Sequence, residues 1–395
     1  MLYKAHKIKL NPTKTQKIFF EKSFGTARYT YNWALAKWQE MYKAGEKPSA
    51  YTLIKHINSI KRIEFPWMLE VGKTCCQYPI HNVESAFKKM WKEKSGYPKF
   101  KKKGVKDGYV AAENKNQFKQ KDKKIWIPRL GWVKCYENLR FEGKVQNSVV
   151  TKRAGMYFAV INIETNDIPT KSENQTIVGV DLGIKTLATL SDGTVFENPK
   201  ALKSNLKSLK RLQRGLNRKV KGSNNRKKQQ QRLAKKYYKV SGIRNNALHQ
   251  ATSYITKNYG TIVLEDLNVK GMVKNRKLSQ AISDVSFGEF RKQIEYKSKW
   301  YGVEVIVADR FYPSSKICSC CGHKKEKLKL SERTYNCTNC GTVIDRDLNA
   351  SKNLANLALL GNPEKVKLVE QTQIQDSSCG VVLKQEFLLN NILNN

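Results

Sequence analysis

Acidic side chains are scarce in this sequence, which has 33 Asp and Glu against 74 Lys and Arg and a net charge of +41. Self-repulsion among so many like charges destabilises a compact chain, which argues against a surface charged only for solubility. Neutralisation of phosphates and release of their counterions make a polyanion the natural partner of such a chain. The charge therefore predicts binding to nucleic acid rather than to a membrane surface.

Long apolar runs are also missing. No stretch approaches the ~18–20 apolar residues that a membrane-spanning helix needs, and the first residues, MLYKAHKIKLNPTK, lack the apolar core of a signal peptide. The nine cysteines are an odd number, which suits a metal site in a reducing compartment better than a disulfide framework. We therefore expect a cytoplasmic protein with no membrane partner.

One long stretch has no acidic residue at all, from Glu197 to Glu265, and fifteen Lys or Arg fall within 201–240. Leucines recur there with near-heptad spacing, which predicts a helical hairpin packed along one seam; they are Leu202, Leu206, Leu209, Leu212 and Leu216. A solvated helix face normally mixes both signs of charge. The hairpin is thus predicted to follow a phosphate backbone, and the alternative is a solvated hairpin that contacts nothing.

Apolar spacing predicts helices in the first part of the chain and strands after it. Apolar residues at intervals of three to five predict an amphipathic helix pair; they are Ile18, Phe19, Phe24, Tyr31, Leu35 and Trp38. Segments such as IWIP and YFAVINIE predict a small β-barrel over 107–168, which a strand at 2–10 can join. IVGVDLG, TLATL and TVFE then predict a buried strand followed by a hairpin.

Two cysteine pairs have the spacing of a metal site. Cys318-x-x-Cys321-Gly and Cys337-x-x-Cys340-Gly are separated by fifteen residues, which falls within the range of structural zinc ribbons. Cys320 is a competing ligand, but only Cys321 precedes the glycine that lets the backbone turn back. Four thiolates leave no open position on the ion, so the predicted Zn²⁺ is structural.

Three carboxylates occupy positions that are costly unless the charge is compensated. Asp181 lies inside the apolar strand IVGVDLG, Glu265 ends the apolar strand TIVLE, and Asp347 lies in the first turn of an amphipathic helix. Each alone is typical of a capping or solvated carboxylate. Together they predict a negative pocket for Mg²⁺, since two ions ~4 Å apart can activate water and stabilise the leaving oxygen of a phosphodiester.

The segments VGVDLGIKTLATLSDG, IVLEDLNVKGM and CSCCG…CTNCGTVIDRDLNASKNL resemble the three RuvC-like motifs and the zinc ribbon of the TnpB family. TnpB proteins accompany bacterial and archaeal insertion sequences and are related to type V CRISPR effectors. The resemblance extends more loosely to NPTKTQK, SAFKKMW and YPKFKKKG, and so covers residues 1–360. It implies that the catalytic, Mg²⁺-binding acids are Asp181, Glu265 and Asp347. Asp345 lies two residues earlier, but in the family pattern the acid directly before x-Asn-Ala is the catalytic one.

The resemblance implies an α+β multidomain fold. We expect a helical recognition module at 11–106 and a wedge-type β-barrel formed by 1–10 and 107–168. A ribonuclease H-like (RuvC) α/β domain is expected at 169–317 and 341–360, with a zinc ribbon inserted at 318–340. Residues 361–395 are expected to form a disordered tail.

The implied activity is RNA-guided cleavage of double-stranded DNA beside a short transposon-adjacent motif, in the prokaryotic cytosol or nucleoid. The implied partners are a guide RNA derived from the transposon end and the target DNA. The implied cofactors are Mg²⁺, with two ions and with Mn²⁺ as a substitute, and structural Zn²⁺. Two alternatives use the same motifs: a transposase or resolvase that acts on DNA strands, and a guided DNA-binding regulator with a silent active site.

Overall fold

The computed structural model describes residues 2–112, 116–165, 173–329 and 331–359, together with the backbone of 366–368. The chain divides into two compact units. The first comprises Met1–Thr170 and Pro199–Asn246, and the second comprises Lys171–Asn198 and Ala247–Asn395. None of the helices in the described ranges combines the length and the apolar character that crossing a bilayer requires.

The helical part of the first unit contains α1 (Lys14–Lys43), α2 (Ala50–Ile60), a 3₁₀ helix (Pro66–Glu70) and α3 (Thr74–Glu93). A capping box formed by Thr13 and Gln16 begins α1. The predicted helix pair is wrong within this segment, because α1 continues unbroken for 30 residues. No proline interrupts it, so nothing in its interior removes a backbone donor and ends the helix.

The strands of the first unit form two antiparallel sheets rather than one closed ring of hydrogen bonds among the described residues. Four strands are ordered β1-β7-β6-β2 and three are ordered β3-β4-β5. They are β1 (Leu2–Leu10), β2 (Asp107–Ala112), β3 (Gln120–Lys121), β4 (Lys124–Ile127), β5 (Gly131–Lys134), β6 (Lys144–Arg153) and β7 (Met156–Thr165). An isolated bridge between Leu10 and Cys135 links the sheets, and both contribute to one apolar core with Phe20 and Phe24 of α1.

The basic stretch forms α4 (Ala201–Asn217) and the first part of α5 (Asn224–Asn258). Leu209 and Leu216 of α4 are buried in one apolar cluster with Leu233 and Val240 of α5. The predicted helical hairpin with a leucine seam is therefore confirmed. The boundary between the two units falls inside α5, after Asn246.

The second unit is built on a six-stranded sheet of order β10-β9-β8-β11-β12-β15. Its strands are β8 (Ile177–Asp181), β9 (Thr186–Leu190), β10 (Val195–Glu197), β11 (Thr261–Glu265), β12 (Glu304–Ala308) and β15 (Val366–Leu368). The strands β10, β9 and β8 form an antiparallel meander, whereas β11 and β12 run parallel to β8. The remaining elements are α6 (Val269–Met272), α7 (Ser279–Val285), α8 (Phe287–Tyr301), the two-stranded sheet of β13 (Thr334–Asn336) and β14 (Val343–Asp345), and α9 (Arg346–Leu359).

The predicted disordered tail, 361–395, lies outside the described residues except at Val366–Leu368. That prediction is wrong for these three residues, whose backbone forms β15 and pairs antiparallel with β12. Without β15, β12 would be the edge of the sheet, and an edge strand presents unpaired backbone groups to any extended segment nearby.

Candidate active site and cysteine cluster

The ends of two neighbouring strands carry the first two predicted acids. β8 and β11 are parallel and in register, with Val180 opposite Leu264. The next residue of each strand is Asp181 and Glu265, respectively. Because parallel strands end at the same edge of a sheet, the two carboxylates project from adjacent positions at this edge.

Helix α9 brings the third acid to the same edge. An added Cβ at Gly179 of β8 would lie 1.9 Å from the backbone oxygen of Ser351 and 2.5 Å from the backbone nitrogen of Ala355. Only glycine allows a helix backbone to approach a strand this closely. Asp347 lies one helical turn before Ser351, which directs it toward Asp181, and the charge of Asp347 contributes to raising the pKa of Asp181.

Burial and mutual repulsion disfavour the ionised form of these acids. The pKa of Asp181 is raised well above its ordinary value, mainly by desolvation and then by the negative charges of Glu265 and Asp347. Desolvation also raises the pKa of Glu265, whereas a hydrogen bond from Ser314 and the positive charge of Arg346 act in the opposite direction. Buried carboxylates of like charge are stabilised when a cation binds between them.

Asp345 lies two residues before the predicted catalytic Asp347 and has a structural role of its own. One Oδ of Asp345 accepts hydrogen bonds from the backbone N–H groups of Asp347 at 2.9 Å and Leu348 at 3.1 Å. This is the arrangement of a helix N-cap, so Asp345 holds the start of α9. Asp347 lies in the first turn of α9, and both aspartates line a cavity of about 190 Å³ together with Lys185 and Arg333.

The carboxylate of Asp266, next to Glu265, forms ion pairs with two arginines. Arg291 donates to one of its oxygens at 2.9 Å and Arg310 to the other at 2.6 Å. These hydrogen bonds and charges lower the pKa of Asp266. No comparable ion pair to Asp181 or Glu265 is found within the described ranges, which leaves those two carboxylates available for another ligand.

The acids and the cysteines differ in how tightly they cluster. In the part of the chain that the structure describes, the four predicted cysteines form one tight group, in which all four sulfur atoms lie within 4.8 Å of one another. Asp181, Glu265 and Asp347 do not form such a group among the described residues. Their all-oxygen donor set suits Mg²⁺, which usually keeps several waters and takes few protein ligands, so a tight cluster of protein ligands is not required.

The cysteine sulfurs have the spacing of a tetrahedral site. The Sγ atoms of Cys318 and Cys340 lie 3.7 Å apart, and those of Cys321 and Cys337 lie 3.6 Å apart. A regular tetrahedron with Zn–S bonds of ~2.3 Å has edges of about 3.8 Å, whereas a disulfide bond would be about 2.0 Å. Cys320 is exposed and lies outside the group, so the structure brings together the four predicted ligands.

The sequence did not predict several residues that lie near the acids. Ser314 donates its hydroxyl to Glu265, and Lys185 and Arg333 line the cavity beside Asp347. Ser314 follows β12, which is parallel to β11. Functional side chains often lie just beyond the carboxyl ends of parallel strands, so a sequence signal for the pairing of β11 with β12 would have pointed to this loop.

Comparison with known families supports the sequence resemblance over most of the chain. Residues 160–276 match a family model described as "Probable transposase", and residues 287–354 match one described as "Cas12f1-like, TNB domain". A third model, "Helix-turn-helix domain", matches residues 1–47, which in this structure form β1 and α1.

Known proteins and a solved structure match over most of their length. The chain is 31% identical over 370 residues to "Putative RNA-guided DNA endonuclease InsQ" of Escherichia coli (strain K12), covering 89% of this chain and 91% of the relative. A Streptomyces pristinaespiralis protein described as "Putative RNA-guided DNA endonuclease" is 32% identical, with coverage of 89% and 88%. The protein chain in the cryo-EM structure of a Cas12f1–sgRNA–target DNA complex has a similar fold, with a TM-score of 0.55, 16% identity and coverage of 89% and 84%. On this sequence identity and coverage, the chain belongs to the TnpB family.

Proposed function

We propose that this protein is an RNA-guided endonuclease that hydrolyses phosphodiester bonds of target DNA beside a transposon-adjacent motif, guided by RNA derived from the transposon end. The names of the two relatives that match over most of their length support this activity. The net charge of +41 supports binding to nucleic acid. In such a complex, base pairing with the guide supplies most of the sequence specificity.

The observation that carries the proposal is the adjacency of Asp181 and Glu265 at one sheet edge, with the first turn of α9 directed toward them. An antiparallel meander followed by two parallel strands supports a ribonuclease H-like domain. We assign Asp181, Glu265 and Asp347 as ligands of Mg²⁺, with Mn²⁺ as a substitute. Two such ions, when bound, supply activated water and stabilise the leaving oxygen.

The chain's own residues then have distinct tasks. The three carboxylates would bind the metal cations at the sheet edge. Lys185 and Arg333 offer cationic groups to a phosphate in the cavity beside Asp347. We assign Cys318, Cys321, Cys337 and Cys340 to a structural Zn²⁺ that stabilises the ribbon and takes no part in the chemistry.

The decisive experiment separates cleavage from binding. Purified protein with its guide RNA should cut matching DNA with Mg²⁺ or Mn²⁺ and stop when EDTA is added. Asp181→Ala and Glu265→Ala should each abolish cutting while the affinity for guide and target stays close to that of the wild type, because affinity depends on the basic surface. Cutting by Asp181→Ala, or cutting in EDTA, would refute the proposed site.

A strand-joining activity is the alternative that a specific observation favours, since residues 160–276 match the model described as "Probable transposase". The metal chemistry of hydrolysis and of strand transfer is the same. A discrete RNA that co-purifies with the protein and directs cleavage would support the guided nuclease. Joined DNA products formed without RNA would support the alternative.

The basic hairpin gives a separate test of nucleic-acid binding. Lys227, Lys228 and Arg232 are exposed on α5. Their joint replacement by Gln should weaken nucleic-acid binding whatever the base sequence and flatten its salt dependence by about 0.7–0.9 per lost phosphate contact. As the control, Leu209→Ala in the buried seam should cost about 2–5 kcal/mol of stability and leave the salt slope unchanged. An unchanged slope in the triple variant would show that the hairpin contacts no phosphate.

A further inference from the structure

Glu265 is held by a hydroxyl that comes from another segment of the second unit. Ser314 lies in the loop between β12 and the first cysteine pair and is 5% exposed. Its Oγ donates a hydrogen bond to Oε1 of Glu265. One carboxylate oxygen is thereby oriented, and the other remains able to bind a cation.

Two buried asparagines of α9 hold the loop that carries Ser314. The side-chain amide of Asn353 donates to the backbone oxygen of Ser314 at 2.7 Å and to that of Ile317 at 2.6 Å. Both asparagines are almost fully buried, Asn349 at 0% and Asn353 at 2% exposure. Buried amides with satisfied hydrogen bonds specify one arrangement of the groups they join.

Asn349 extends this connection to the cysteine cluster. Its amide donates to the oxygen of Ile317 at 2.7 Å, and its oxygen accepts from the backbone N–H of Ser319 at 2.9 Å. Ile317 and Ser319 flank Cys318, the first predicted zinc ligand. The same helix begins with Arg346 and Asp347, so the helix that carries the third acid also holds the first cysteine turn and the loop with Ser314.

We infer that Ser314 is a positioning residue for Glu265 and that Asn349 and Asn353 couple this position to the cysteine cluster. This inference rests on the proposed function, because it takes Glu265 to be a Mg²⁺ ligand. Groups that orient a metal ligand commonly change metal affinity or activity by about 10–100-fold when removed. The contribution of the cysteine cluster to the active site is then geometric, through the loop 314–319.

The test measures binding of Mn²⁺ to the full-length, zinc-loaded protein by electron paramagnetic resonance of the free ion, without guide RNA. Ser314→Ala should weaken Mn²⁺ binding about 10–100-fold, and Ser314→Thr, which keeps the hydroxyl, should restore most of it. Asn353→Ala should weaken binding as well, because it releases the loop while the hydroxyl remains. Zinc content should be unchanged in Ser314→Ala and Ser314→Thr.

Ser351→Ala is the matched control. Ser351, like Ser314, is a buried serine, but it lies on α9. Its hydroxyl donates to the backbone oxygen of Leu348 within the same helix. Its removal should leave Mn²⁺ binding unchanged. If Ser314→Ala behaves like Ser351→Ala, or if Ser314→Thr binds Mn²⁺ as weakly as Ser314→Ala while both melt normally, the inference is wrong.

Asp181→Ala distinguishes failure of the inference from failure of the proposed site. Loss of Mn²⁺ binding in Asp181→Ala together with normal binding in Ser314→Ala would refute only the positioning role. Normal binding in both variants would refute the carboxylate site and the inference together. Cleavage rates measured at saturating and limiting Mg²⁺ add a second readout, since a positioning defect should be largest at limiting Mg²⁺.

Discussion

The two candidate metal sites of the second unit are assembled in different ways. All four sulfurs of the cysteine cluster come from residues 318–340, and two pairs of them lie 3.6 and 3.7 Å apart. The carboxylates come from β8, β11 and α9, which are far apart in the sequence. The cysteine cluster therefore depends on two short turns, whereas the acidic site depends on the packing of a helix on a sheet.

This difference has an energetic consequence. Closing a short loop has a low entropic cost, and an ion bound by four thiolates contributes directly to local folding. The acids bring like charges together, which costs stability until a cation binds. We thus expect the cysteine cluster to stabilise the second unit and the acidic edge to destabilise the metal-free protein.

The third acid should have a large effect on cleavage, as should Asp181 and Glu265. Asp347→Asn should lower cleavage by more than about 10²–10³-fold, on the scale of losing one electrostatic catalytic group. Asp345→Asn is the matched control, because Asn caps a helix as well as Asp does and should keep α9 in place. The check is the cleavage rate of both variants on the same guided target. If Asp345→Asn stops cleavage and Asp347→Asn does not, Asp345 is the metal ligand.

The cysteine cluster should respond to Cys337→Ser with loss of bound zinc and a lower melting temperature, because Cys337 is a buried member of the cluster. Cleavage should fall as well. Cys320→Ser should retain zinc and stability, since Cys320 is exposed and outside the group. Elemental analysis and thermal melting of both variants provide the check, and zinc loss on changing Cys320 would revise the ligand set.

Gly179→Ala should damage the acidic site and leave the cysteine cluster intact. The new Cβ would meet Ser351 O at 1.9 Å and push α9 away from β8, at a cost of about 1–3 kcal/mol or more. Gly288→Ala on α8, where an added Cβ meets nothing within 4 Å, should be neutral or stabilise by up to about 1 kcal/mol. Unfolding curves, zinc content and cleavage of both variants test whether the packing of α9 on β8 controls the acidic site while the cysteine cluster keeps its zinc.

The smallest effect should be a gain in stability. Because the pKa of Asp181 is raised on folding, the folded state binds a proton more tightly than the unfolded state, and stability falls as the pH rises above the ordinary carboxyl range. In EDTA, Asp181→Asn should therefore melt above the wild type at neutral pH and approach it at acidic pH. Added Mg²⁺ should reduce the difference, and a variant that melts below the wild type in EDTA would show that the acids do not repel.

Much of the fold could be predicted because its signals are local. The leucine spacing of 201–216 predicts the hairpin seam that Leu209 and Leu216 form with α5, and the sequence TIVLE predicts β11. Two predictions were wrong, one about where a helix ends and one about a strand at a sheet edge. The helix α1 continues through a segment predicted as a pair, and Val366–Leu368 becomes β15 because β12 offers a free edge.

The sequence by itself predicted the four cysteines that cluster in the structure and the carboxylates at the ends of β8 and β11, because turn chemistry and strand ends are encoded within a few residues. Only the three-dimensional structure decided that Asp345 caps α9, since Asp345 and Asp347 are two residues apart and both line the same cavity. It also decided that Ser314 holds Glu265. A hydrogen bond between residues 49 positions apart depends on how β12, its following loop and α9 pack together, and no local pattern encodes that packing.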